Sequence, residues 1–149
     1  MKSTTTALLG LCLAVVFASA GAPLVSAEEQ VIGRPNVDVY VPNNQVTPGE
    51  ETTLEVFLSN DGELRQDGAP EYVDRVTTAR GTVVELHAAN SPITFDTGAI
   101  PVGTLPTGTA GPLEVSLTVP EGTPPGTYEV PVEVRYSYTR LVTYGDGEP

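Results

Sequence analysis

Leu113-Glu114-Val115-Ser116-Leu117-Thr118-Val119 alternates apolar and polar residues without a break, and then runs through Pro120-Glu121-Gly122-Thr123-Pro124-Pro125-Gly126 into Thr127-Tyr128. A period of two puts Leu113, Val115, Leu117 and Val119 on one face of an extended strand and Glu114, Ser116 and Thr118 on the other. The Pro/Gly run after it turns the chain. Upstream the pattern repeats. Asn36 to Pro42 carries Val37, Val39 and Val41 on one face, and Glu51 to Asn60 carries Leu54, Val56 and Leu58 against Glu55 and Phe57. Between them Val46-Thr47-Pro48-Gly49-Glu50 suits a type II turn centred on Pro48-Gly49. Asn60-Asp61-Gly62 ends the second strand, where Asn60 and Gly62 are expected to take positive φ. Ala79 to Ala89 presents Val84, Leu86 and Ala88, and Asn90-Ser91-Pro92 breaks it. Ile93 to Thr97 and Ala99 to Leu105 follow as short strands, then a loop over Thr107 to Pro112.

Downstream, Thr127 to Tyr138 is expected to be the longest strand, with Tyr128, Val130, Val132, Val134, Tyr136 and Tyr138 on one side. Pro131 lacks an N–H and so belongs at an edge or a bulge. Leu141 to Tyr144 is a further short strand. Glu63 to Thr78 is polar and acidic and is expected to be an irregular connection, mobile or carrying a contact. No window shows helical spacing, so no helix is expected. Strands, Gly/Pro turns and no helix predict an all-β chain folded as an antiparallel β-sandwich. Its core has no Trp, so Tyr128 and Tyr136 are expected to supply bulk. The predicted division is a linker at 28–35, the sandwich at 36–144 and a tail at 145–149.

The first 27 residues read differently. Lys2 and the α-amino group precede an apolar stretch from Ala7 to Ala18, and Val25-Ser26-Ala27 offers a small-x-small cleavage site before Glu28-Glu29. This is the order of a secretory signal peptide. As a retained anchor the apolar run falls short of the ~20 residues that span a bilayer. Lipidation at Cys12 is disfavoured, because Leu11 stands where a small residue is required. The expectation is an exported protein, extracellular or at the cell surface, with no membrane insertion after cleavage.

Cleavage leaves 122 of the 149 residues, with no cysteine, no lysine, six arginines and all nineteen carboxylates, a net charge of −13. Nucleic acid and anionic membranes would be repelled. The carboxylates could form a patch for cations or a basic partner, or they could adapt the whole surface to high salt. They are spread along the chain, which favours salt. Repulsion among them is screened within ~3 Å at 1 M. Arginine without lysine among abundant acids looks like a halophilic archaeal protein.

Candidate chemistry is sparse. His87 is the one histidine, on the strand face opposite Val84, Leu86 and Ala88, and a lone histidine cannot build a multi-histidine zinc site. No Gly-x-Ser-x-Gly elbow and no phosphate-binding loop before a helix occur. Asp61, Asp67, Glu71 and Asp74 lie close in sequence; a solvated acidic loop is the plain interpretation, and weak Ca²⁺ binding is the alternative. Tyr136, Tyr138 and Tyr144 suit core and edge packing, with sugar stacking as the alternative. No catalytic, cofactor-binding or metal-ligating residue is assigned, and no cofactor is implied.

Val46-Thr47-Pro48-Gly49-Glu50 with Ser59-Asn60-Asp61-Gly62 resembles the opening of immunoglobulin-like modules in archaeal S-layer-related envelope proteins. Val102-Gly103-Thr104-Leu105-Pro106, and the stretch from Val115 through Pro125-Gly126-Thr127-Tyr128, are similar to the second half of those modules and to NEW-type domains associated with α-galactosidases. The likeness covers about Arg34 to Tyr138. It implies a non-enzymatic envelope module, a spacer or adhesion domain meeting other envelope proteins or cell-surface glycans. Its alternative is a carbohydrate-binding or accessory module of an exported glycoside hydrolase system. Tyr128 is expected to pack inward and hydrogen-bond across a corner. Such modules return with one more strand after the Tyr-rich one. Here that strand is expected to be lacking, leaving a sheet edge open to strand addition from a partner. If the acidic surface is a salt adaptation, the melting temperature climbs steeply between low and molar KCl; a flat response in a thermal melt series excludes it.

Overall fold

The computed structural model describes residues 28–145, so the expected signal at 1–27 and tail residues 146–149 lie outside the described residues. In chain order these form β1 (Glu29–Arg34), β2 (Val37–Tyr40), β3 (Glu51–Asn60), β4 (Glu63–Gln66), α1 (Pro70–Thr77), β5 (Ala79–Leu86), β6 (Thr94–Phe95), β7 (Ile100–Leu105), β8 (Gly108–Thr118), β9 (Val132–Ser137) and β10 (Leu141–Tyr144). Every strand pair is antiparallel. A four-stranded sheet, β2-β3-β8-β6, and a three-stranded sheet, β7-β5-β9, share one core, and a third sheet, β10-β1-β4, is backed by α1. The chain is therefore an all-β sandwich, as its periodicity predicts.

The spine is the β3–β8 pair, in register from Glu51 opposite Thr118 to Asn60 opposite Gly108. The alternation sorts as expected: Val56, Leu58, Val115, Leu117 and Val119 are buried, and Glu55 and Glu114 are exposed. Val84, Leu86 and Leu105 complete the core from the other sheet. The register slips between Val56 and Leu58. Opposite the slip sits Gly111, with φ of 124° and a Cβ position only 2.9 Å from the Val56 carbonyl oxygen, so a side chain there would collide with the bulge. The Pro48-Gly49 turn is of type II: Gly49 has φ of 82° and the Glu50 N–H reaches the Thr47 carbonyl at 3.4 Å. The Gly49 N–H also donates to Val119 O at 2.8 Å, clamping the turn to the end of the central pair.

Four expectations are corrected. Residues 28–35 are not a linker, because Glu29–Arg34 is β1, the centre of the third sheet. Glu63 to Thr78 is not an irregular connection but β4 and α1. The helix is two turns long. Pro70 presets its first φ, Glu71 and Arg75 suit its two ends, and Val76 is fully buried. Its Tyr72, Val73 and Val76 are too short a stripe to register as a helical period. The loop expected over Thr107 to Pro112 lies mostly inside β8. Strand β9 begins only at Val132, since the Pro124-Pro125 turn and Pro131 keep Thr127 to Pro131 out of the ladder.

Asn60 is completely buried and satisfied through both ends of its amide. Nδ2 donates to Thr77 O at 2.8 Å and to Leu105 O at 3.0 Å, while Oδ1 accepts from Asn36 N at 3.0 Å and Gly62 N at 3.2 Å. Positive φ falls to Gly62, at 56°, and not to Asn60. Asn60→Ala would remove the partner of two buried carbonyls, Thr77 O and Leu105 O, each costing about 1–3 kcal/mol if left unpaired, and of two half-buried N–H groups. We expect a loss of at least about 3 kcal/mol in denaturant unfolding, against a change within about 0.5 kcal/mol for the exposed control Asn44→Ala.

Candidate functional site

Two hollows stand out among the described residues, one between loops at a sheet end and one over the third sheet. The larger, about 560 Å³ and wide open, lies between the turn after β5 and the approach to β9, and is lined by Ala89, Asn90, Ser91, Thr127, Tyr128, Glu129 and Pro131. Each wall has a local cause. Ser91 caps its own turn, with its N–H and Oγ both donating to Ala88 O, at 2.9 and 2.6 Å. On the other wall the Tyr128 hydroxyl donates to Pro124 O at 2.7 Å. That bond is the corner contact expected of Tyr128. Its ring is not in the core, however; it is 36 % exposed, and Tyr136 packs against the core instead. A tyrosine face beside an amide, a hydroxyl and a carboxylate can stack on a ring and hydrogen-bond its substituents. The volume lies within the ~300–1,000 Å³ typical of small-molecule sites.

The smaller hollow, about 170 Å³, lies over the third sheet and is lined by Ile32, Gly33, Arg34, Glu63, Leu64, Arg65, Tyr138 and Arg140. It holds three of the six arginines found after Ala27. Arg34 stands opposite Glu63 in the β1–β4 register, and its Nε donates to Glu63 Oε2 at 2.6 Å. That hydrogen bond, then the Glu63 charge, holds the guanidinium above its usual pKa. Among the described residues Arg65 and Arg140 make no ion pair. The hollow is too small for a whole ligand of the usual kind and matches a single anionic group.

The two sandwich faces differ in charge. The strands β2, β3, β8 and β6 contain no basic residue, and their outer side carries Asp38, Glu51, Glu55 and Glu114. Glu55 stands directly opposite Glu114, a like-charged cross-strand pair. Beside it Phe57 and Tyr40 stack with centroids 5.2 Å apart. The other sheet is mixed: Arg135 reaches Glu85 and Glu133 at 3.3 Å each, and His87 lies 3.3 Å from Glu133. His87 is thus on the outer face, as its position predicts.

Asp61, Asp67, Glu71 and Asp74 are divided among a turn, the connection after β4 and α1, and no metal-holding group of three such side chains occurs among the described residues. Tyr144 is not a free platform. Its ring stacks on Tyr72 at 4.4 Å, its oxygen accepts the Ala69 N–H at 3.0 Å, and Glu29 holds its phenol above the usual pKa. The Tyr128 cleft and the arginine hollow escaped the sequence. The exposed ring at Tyr128 had no signal, and the arginines converge from β1, β4 and the β9–β10 connection. Glu114→Gln removes the repulsion on Glu55; it is expected to raise low-salt stability by about 0.2–1 kcal/mol and to flatten the dependence of melting temperature on KCl. Comparison with protein-family models, with curated proteins and with solved structures finds no match.

Proposed function

We propose that this chain is a non-enzymatic, exported β-sandwich module of a cell envelope, serving as a spacer or interaction domain in a salty exterior. The observation that carries the proposal is the outer face of β2-β3-β8-β6, where carboxylates stand in extended strands with no cation and with Glu55 opposite Glu114. Such a face is costly in dilute solution and tolerable where salt screens it. The order of the sheets supports an immunoglobulin-like kinship: β2, β3 and β8 share one sheet, β5 and β9 the other, so the chain crosses between sheets as a Greek-key sandwich does. The signal-like 1–27 segment supports export.

A second reading, a carbohydrate-binding module, is favoured by one feature: the Tyr128 ring beside Asn90, Ser91 and Glu129 in the larger hollow. Retention of the purified chain on a panel of immobilised polysaccharides in molar KCl separates the two. For the spacer no saturable retention is expected. Saturable retention of one polysaccharide, lost on Tyr128→Ala, replaces the spacer with the carbohydrate-binding module.

A further inference from the structure

Strand β9 is hydrogen-bonded to β5 along one side, and among the described residues no strand pairs with its other side. The ladder fixes which of its backbone groups are free. His87 N–H donates to Pro131 O at 3.0 Å, and the register sets Glu85 opposite Glu133 and Val83 opposite Arg135. Opposed residues in an antiparallel pair alternate between those that exchange hydrogen bonds and those that do not. Pro131, Glu133 and Arg135 therefore turn their backbone groups toward β5. Val132, Val134 and Tyr136 turn theirs outward, to the unpaired side. Pro131 faces β5 but has no N–H to return to His87 O, so the ladder stops there and β9 begins at Val132.

We propose that this edge pairs with the same edge of a second copy, antiparallel and centred on Val134, joining two three-stranded sheets into one. The inference rests on the edge alone and is independent of export or of any ligand. Parity and charge select the register. A twofold axis through Val134 sets Val134 opposite Val134, Val132 opposite Tyr136, and Glu133 opposite Arg135 at two symmetric places. Outward backbone groups then meet outward ones, and each charged pair is complementary. Centring on Glu133 or Arg135 sets like charges opposite each other. Centring on Val132 faces Glu133 with Pro131, and centring on Tyr136 faces Arg135 with Ser137. Val132, 37 % exposed in the single chain, gains the ring of Tyr136 as a neighbour across the seam. Arg135 has the capacity: two of its nitrogens already reach carboxylates, and a guanidinium offers five N–H donors. Each copy is strongly acidic, so pairing strengthens as salt screens the long-range repulsion.

Sedimentation equilibrium of the purified chain in molar KCl tests this. The wild type is expected to form a dimer as concentration rises. Arg135→Glu and Glu133→Arg each place like charges across both symmetric contacts, and each is expected to weaken the dimer about tenfold or more. An equimolar mixture of the two restores it, because one chain then carries arginines where the other carries glutamates. The double variant E133R/R135E also self-pairs at wild-type strength. Both positions face solvent, and a melting temperature near that of the wild type verifies folding. A wild type that stays monomeric at all concentrations, single variants that dimerise as tightly as wild type, or a mixture that fails to regain the dimer would each overturn the proposal.

Discussion

The amide of Asn60 ties together parts of the chain that share no strand pairing. It sits at the last position of β3, the strand that pairs along its whole length with β8. From there it holds the β1–β2 connection through Asn36, the turn after β3 through Gly62, the end of α1 through Thr77 and the end of β7 through Leu105. An asparagine is suited to this because one planar group supplies two donors and two acceptor sites. Aspartate would lose the donors and leucine would lose everything. The sandwich and the third sheet are therefore locked at one buried polar point, in a low-dielectric setting where a satisfied network rigidifies and an incomplete one is costly. By contrast, the buried Thr82 hydroxyl has no partner among the described residues.

How much of this was legible follows from what each residue's signal depends on. Leu113 to Val119 and Glu51 to Asn60 declare themselves because a half-buried strand must alternate, and both alternate in the structure. Pro48-Gly49 is legible because its geometry is local. The eight residues of α1 were not legible, because two turns supply too few apolar positions to establish a period and the decisive one, Val76, is buried by β1 rather than by its own helix. Close approach there requires Gly33, whose Cβ position lies 2.7 Å from Val76 Cγ2. Tyr128 was half legible. Its hydroxyl finds the corner acceptor that Pro124 provides, but the direction of its ring depends on where Pro131 lets β9 begin. Asn60 carried a turn signal and served as a core residue instead. The two hollows were illegible for a simpler reason: each is assembled from segments far apart in sequence.

The six arginines explain how so acidic a chain is joined. None lies on β2, β3, β8 or β6. Arg34 joins β1 to β4 through Glu63, and Arg135 joins β5 to β9 through Glu85. Arg80 donates to Thr139 Oγ1 at 3.0 Å and to Arg75 O at 3.1 Å, tying the three-stranded sheet to α1 and to the connection before β10. Arg75 lies over the Tyr72 ring at 5.8 Å, and that ring stacks on Tyr144. Arg80 and Arg135 each reach two partners, which the guanidinium fork allows where an ammonium acts as a compact point charge. The absence of lysine after Ala27 fits that geometry. Cations are spent at joints, while the large sheet face is left to carboxylates and water. That division also leaves β9 as the strand where an unpaired edge and alternating charges coincide, and a second copy of the same edge is what this pattern complements.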